Sequence, residues 1–133
     1  GDKSELTRYL NATMKAMGLV QSPEEDVERG YYYRSDHFSL AKRGVPMFNL
    51  GRGSDWVPGG KAAAKAYSDA YTAKNYHGPN DEYDASWDWS GILQDGEIYY
   101  RLGRSLAMGK DWPNWHPTDE FRAIRDASLK GKK

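Results

Sequence analysis

Hydrophobic side chains recur at helical spacing in the first part of the chain and predict an amphipathic helix over residues 4–17. Gly18 follows directly, and glycine is a typical residue for ending a helix. The side chains expected to face the core are Leu6, Tyr9, Leu10, Thr13, Met14 and Met17.

Four further segments show a helical pattern. Shorter helices are predicted over residues 35–43, 61–73 and 119–129, and Gly44 is expected to end the first of these. The longest helix is predicted from residue 88 or 90 to about residue 108, and an aromatic turn over residues 112–117 is expected to pack back on the body. The predicted buried face of the long helix comprises Ile92, Leu93, Ile98, Tyr99, Leu102 and Leu106.

Residues 45–50 form a short, mostly apolar run between two glycines. Such a run is typical of a strand that is buried on both faces, as in a parallel sheet. A helix, a glycine and then this strand indicate an α/β fold. The sequence therefore predicts a helix-rich α/β structure with a small, mainly parallel sheet.

Composition excludes several classes of function. The chain has 133 residues, which is enough for one domain, residues 1–133. Its formal net charge of zero argues against nucleic-acid binding, because phosphate contacts favour an excess of Lys and Arg. No apolar run approaches the roughly 18 residues of a membrane span. The absence of cysteine excludes disulfides, thiolate metal sites and thiol catalysis.

Residues 75–84 concentrate the polar chemistry of the chain, with one imidazole, carboxylates and two phenols close together. Gly78 and Pro79 break regular structure here, so these side chains are expected on a loop. His77 followed by Asp81 is compatible with a metal ligand oriented by a carboxylate, but for a lone histidine the residues alone favour a solvated turn that carries an ordinary surface histidine.

The order of two motifs resembles the C-terminal part of the di-zinc aminopeptidases, the twenty-eighth family of metallopeptidases, to which glutamate carboxypeptidase and glutaminyl cyclase are related. The resemblance implies the C-terminal part of a three-layer α/β/α zinc-exopeptidase fold. Trp87, the long helix and the Trp-Pro-x-Trp turn resemble a bacterial, often exported, subgroup, so the resemblance implies a periplasmic or secreted parent enzyme. The motifs are Arg34-Ser35-Asp36-His37-Phe38 with Gly44-Val45-Pro46, and Tyr76-His77 with Pro79 and Asp81.

The resemblance also implies roles for particular residues. His77 is expected to be a ligand of one of two zinc ions, and the Tyr76 hydroxyl to stabilise the oxyanion of a tetrahedral intermediate. Asp36 is expected near the metal and the general base. Asp81 is expected either to fix the conformation of the loop or to hydrogen-bond to a metal ligand. Arg34 and His37 are expected to face the substrate cleft, but the resemblance assigns them no role.

The resemblance implies that the family's other ligands and its Glu-Glu pair lie upstream of residue 1. Glu24-Glu25 follows the first helix and is in the wrong place for that pair. Catalytic zinc normally has three protein ligands, so His77 alone leaves the site incomplete. We therefore expect the C-terminal segment of a zinc exopeptidase that acts on peptides, inactive as an isolated chain, with self-association through its incomplete sheet.

Two alternatives come from other classes of function. Five tryptophans and ten tyrosines would suit a non-catalytic module that binds carbohydrate or peptide by stacking. A hydrolase that uses His77, Asp36 and Tyr76 without metal is the other, but the sequence offers no convincing serine nucleophile.

Overall fold

The computed structural model describes residues 2–23 and 27–131, which divide into two units. Unit 1 consists of the described residues of Gly1–Leu50 and Gly96–Lys133, and unit 2 is Gly51–Asp95. The helices, in chain order, are α1 Leu6–Ala16, α2 His37–Ala41, α3 Gly60–Lys74, α4 Ser90–Met108 and α5 Arg122–Lys130. Two short 3-10 turns, Val27–Arg29 and Tyr31–Arg34, precede α2.

The helical predictions for α1, α3 and α4 are confirmed. Gly18 adopts a φ of 70° after α1. Its N–H donates to the Lys15 carbonyl at 3.2 Å, and the Leu19 N–H donates to the Met14 carbonyl at 2.8 Å. This pair of bonds is the Schellman arrangement that closes many helices.

The prediction of an α/β fold with a small parallel sheet is wrong. The described residues contain no strand, and the fold is helical. Residues 45–50 form an irregular segment whose polar backbone atoms contact tyrosine side chains: the Tyr32 hydroxyl donates to the Met47 carbonyl at 3.3 Å, and the Leu50 N–H donates to the Tyr99 hydroxyl at 3.4 Å. The described residues therefore contain no strand through whose edge two copies of the chain could pair.

Two hydrophobic clusters hold unit 1 together. The first joins α1 to α4 through the buried side chains of Leu10, Met14, Ile98 and Leu102. The apolar segment over residues 45–50 contributes to both clusters, since Phe48 and Leu50 pack on the first and Met47 packs on the second. The apolar character of this segment therefore reflects burial between helices rather than pairing in a sheet.

The second cluster centres on Trp115, which is 0% exposed and packs with Ala41 and Phe121. Its indole N–H donates to the Gly44 carbonyl at 2.9 Å. Backbone hydrogen bonds join this turn to the N-terminal segment: Glu5 N–H donates to the Asn114 carbonyl, and His116 N–H donates to the Lys3 carbonyl. The expectation that the aromatic turn packs back on the body is confirmed for Trp115, whereas Trp112 is 83% exposed.

Unit 2 has a different character. It contains α3, the loop that follows and the first residues of α4. Ala64 is the one buried residue in this unit. Contacts between aromatic rings, rather than an aliphatic core, are the main side-chain packing here. None of the described helices is long and apolar enough to cross a membrane.

Candidate functional site

The candidate site in unit 2 is the turn that follows α3. The Gly78 N–H donates to the Asn75 carbonyl at 2.7 Å, and the Asp81 N–H donates to the Gly78 carbonyl at 3.1 Å. The Asn75 side-chain amide donates to the Asn80 carbonyl at 3.0 Å. Side-chain and backbone bonds thus fix this turn, although its side chains are largely exposed.

Tyr76 and His77 lie side by side on the turn. Their ring centroids are 4.0 Å apart with an interplanar angle of 87°. His77 has a φ of 59°, in the left-handed region that non-glycine residues rarely adopt. Tyr76 is 56% exposed, and none of the described residues forms a hydrogen bond with its hydroxyl. The turn therefore presents a phenol and an imidazole together toward solvent.

Asp81 is tied to α3 by a residue that sequence reasoning missed. The Tyr71 hydroxyl donates to the Asp81 carboxylate, with distances of 2.7 Å and 2.9 Å to its two oxygens. This bond to an anion raises the pKa of Tyr71. No spacing in the sequence indicates this contact, because Tyr71 lies on α3 and Asp81 on the loop that follows.

Aromatic rings form a continuous row that ends at this turn. Trp56 contacts Tyr67 at 5.2 Å between ring centroids, Tyr67 stacks on Tyr71 at 6.5 Å, and Tyr71 contacts Tyr76 at 6.1 Å. Because ring pairs of this kind stabilise one another, the row supports the position of Tyr76 on an otherwise exposed loop.

The other predicted site residues belong to unit 1. Arg34 ends the 3-10 turn before α2, and Asp36 is the residue before the first turn of α2. Both are exposed, and the Asp36 side chain makes no capping hydrogen bond. Their predicted roles in the cleft and near the metal stay predictions.

His37 is half-buried against Tyr32, with ring centroids 4.7 Å apart and an edge-to-face arrangement. Its Nε2 atom is buried and has no hydrogen-bond partner in the part of the chain that the structure describes. Burial lowers the pKa of His37, and the nearby Asp36 carboxylate partly opposes this change. His37 thus packs on Tyr32, and its predicted place in the substrate cleft stays a prediction.

The titration of His37 is a direct check of this packing. We expect its pKa, measured from the ring proton by NMR, to lie below the ordinary value of 6.5 because the charged form loses hydration. Since the unfolded chain then binds the proton more tightly, stability is lost as the pH falls through about 6.5. The Asp36→Asn variant is expected to lower the pKa further, and a pKa above 6.5 would contradict the packing.

Zinc does not fit the described residues by themselves. Within residues 2–23 and 27–131, no group of three or more His, Asp or Glu side chains could hold a metal ion. His77 offers one ligand, while both oxygens of its neighbour Asp81 accept the Tyr71 hydroxyl. Glu24 and Glu25 lie outside the described residues. Among the described residues, the arrangement is thus an exposed imidazole beside an exposed phenol, and not a complete metal centre.

One family model matches most of the chain. The family model described as Peptidase family M28 matches residues 1–102, which include both predicted motifs and the whole turn after α3. The chain belongs to Peptidase family M28. That family is generally zinc-dependent, so the chain has a zinc-dependent, peptidase-like origin. No curated protein and no solved structure matches the chain.

The match ends at residue 102, within α4. The turn that carries Trp115 and the whole of α5 therefore lie beyond the family model, although Trp115 is the most deeply buried large side chain among the described residues. The family assignment thus rests on the part of the chain that holds the Tyr76–His77 pair.

Proposed function

We propose that the chain contributes one metal ligand, His77, and one hydrogen-bond donor, Tyr76, to the active site of an exopeptidase of the aminopeptidase type. The other ligands and the general base would lie on sequence outside this chain, so that the chain alone does not hydrolyse peptides. The observation that carries the proposal is the exposed Tyr76–His77 pair, which has no cluster of metal-binding side chains around it in the described residues.

The role proposed for Tyr76 follows from the charge that develops during hydrolysis. When water adds to a peptide carbonyl, negative charge accumulates on the carbonyl oxygen. A phenol that lies within hydrogen-bond distance donates to this oxygen and lowers the energy of the intermediate. The Tyr76 hydroxyl is suited to this role because its ring is half exposed and its hydroxyl is not bound to another described group.

The backbone at His77 supports a functional role for the pair. A non-glycine residue with positive φ is strained, and such strain is concentrated at active sites and ligand-binding sites. His77 keeps this conformation because the bonds from Gly78 to Asn75 and from Asp81 to Gly78 hold the turn on both sides. The imidazole is thereby held beside the phenol.

An assay of hydrolysis tests the proposal. The isolated chain is expected to release no chromophore from an aminoacyl p-nitroanilide, with or without added zinc, and to behave like its Tyr76→Phe and His77→Ala variants. Zinc-dependent turnover that is lost in both variants would overturn the claim that the chain is inactive alone. Turnover that persists in chelator and depends on His77, Asp36 and Tyr76 would instead identify the metal-free hydrolase.

A further inference from the structure

A groove in unit 2 adjoins the Tyr76–His77 pair. It has a volume of about 510 Å³ and is lined by one side of α3 and by the loop that follows it. This volume lies within the usual range of small-ligand pockets, roughly 300–1,000 Å³. Tyr71, which lines the groove, contacts Tyr76 at 6.1 Å between ring centroids. A group bound against Tyr71 in the groove would therefore lie near Tyr76, which is proposed to contact the reacting peptide group.

Four aromatic rings form much of the groove. They are Tyr67 and Tyr71 on α3, and Tyr83 and Trp87 on the loop. Tyr83 and Trp87 meet edge to face at 5.7 Å between centroids, and Tyr83 is 71% exposed. The groove therefore offers aromatic surface on which a planar or cationic group could stack.

The charges on the groove favour a cation. Glu82 and Asp84 supply two carboxylates, and Lys74 supplies the one basic side chain in the lining. The Ser86 N–H and hydroxyl both donate to Oδ1 of Asp84, at 2.8 Å and 2.7 Å. These two bonds lower the pKa of Asp84, so its carboxylate is ionised at neutral pH.

Aromatic faces and carboxylates together select the chemistry of the ligand. Both attract a cation, since the ring face carries the negative part of the quadrupole. The carboxylates repel an anion, and a neutral sugar could stack and form hydrogen bonds but would gain nothing from the charge of the two carboxylates. A planar guanidinium suits such a site particularly well because it also stacks on rings. Unit 2 already contains one example, since the Arg52 guanidinium lies 5.9 Å from the centre of the Tyr67 ring.

We infer that this groove binds the cationic side chain of a peptide, with arginine preferred to lysine. Its assignment as a substrate subsite rests on the proposed function, because it relies on the neighbouring Tyr76–His77 pair. The binding itself does not, because the aromatic rings and carboxylates of unit 2 are sufficient for it.

The test uses the whole chain and needs neither metal nor turnover. N-acetyl-arginine N-methylamide is titrated against the chain, and binding is followed by NMR from the indole N–H signals of the five tryptophans. The control ligand is N-acetyl-citrulline N-methylamide, which has nearly the same shape without the charge. We expect the Trp87 signal to shift, those of Trp112 and Trp115 to stay in place, and arginine to bind about tenfold more tightly than citrulline.

Matched variants identify the residues responsible. Trp87→Ala is expected to weaken arginine binding about tenfold, whereas Trp112→Ala, at an exposed tryptophan of unit 1, leaves it unchanged. Asp84→Asn and Glu82→Gln are each expected to weaken it several-fold at low salt. Asp69→Asn is the control for charge, because Asp69 pairs with Lys65 on α3 and does not line the groove. The Glu82→Gln change keeps the test valid if Trp87→Ala disturbs the fold.

Several results would overturn the inference. These are equal binding of the arginine and citrulline compounds, no shift of the Trp87 signal with either, or displacement of the arginine compound by a neutral disaccharide. The last result would identify a carbohydrate site and favour the non-catalytic module. A chain that binds arginine in this assay but is catalytic alone would refute the proposed function and leave the cation site intact.

Discussion

Replacing Trp115 with alanine is expected to lower the free energy of unfolding by about 3–5 kcal/mol, the usual cost of removing a buried tryptophan. The side chain is 0% exposed and lies 5.1 Å from Phe121 between ring centroids. Its removal would also leave the Gly44 carbonyl without its indole donor. Urea denaturation followed by circular dichroism measures the change.

Two comparison variants separate the contributions at Trp115. Trp112→Ala also removes a tryptophan side chain, but Trp112 is 83% exposed. This variant is therefore expected to change the free energy of unfolding by less than about 0.5 kcal/mol. Trp115→Phe keeps an aromatic ring but loses the hydrogen bond to Gly44, and should have an intermediate effect. Equal effects of Trp115→Ala and Trp112→Ala would contradict the packing described for unit 1.

Replacing Gly44 with alanine is expected to cost about 2–4 kcal/mol, for two reasons that add. Its φ of 82° is unfavourable for any residue with a Cβ atom. In addition, a Cβ atom there would lie 2.7 Å from the Arg125 backbone nitrogen and 2.9 Å from its Cα. These are backbone atoms of α5, so the clash cannot be relieved by rotating a side chain.

Gly18 provides the matched control for Gly44. It has a similar φ of 70°, but a Cβ atom there would meet nothing within 4 Å. Gly18→Ala should therefore cost only the backbone term of about 1–2 kcal/mol. The difference between the two variants in urea denaturation measures the close approach of residue 44 to α5. If the two substitutions cost the same, that approach is absent.

Local signals in the sequence were sufficient to predict most helices. The apolar repeat in α1 and the glycines after α1 and α2 depend only on neighbours in the chain, and Gly18 and Gly44 both adopt positive φ. The last helix begins at Arg122 rather than near residue 119. The reason is local too: Asp119 accepts the Phe121 N–H at 3.0 Å and forms a turn before the helix.

Other features depended on partners that the sequence does not specify. An apolar run such as residues 45–50 signals burial, but a strand also needs a neighbouring strand with which to pair. The long helix shows the same limit. Ile98 and Leu102 are buried as predicted, whereas Ile92 and Leu93 are 59% and 70% exposed. These two residues belong to unit 2, where little side-chain surface is buried.

The candidate site was predictable to a different degree at each residue. The prediction from Gly78 and Pro79 that Tyr76 and His77 lie on a loop is confirmed, and both residues are exposed. The sequence could not show that Tyr71 would hold Asp81, because both the helix and the loop have to form before these groups meet. Nor could it show the aromatic groove, which depends on the loop with Tyr83 and Trp87 folding against α3.

The most direct test of the central claim is zinc binding, measured by calorimetry on the chain and on its His77→Ala variant. His116→Ala is the control, because it removes a histidine of unit 1 that pairs with Asp2. We predict weak or undetectable binding in all three proteins, since a single imidazole does not form a catalytic zinc site. Tight binding that His77→Ala abolishes and His116→Ala preserves would show that the chain completes a site alone or as a dimer, and would contradict the account.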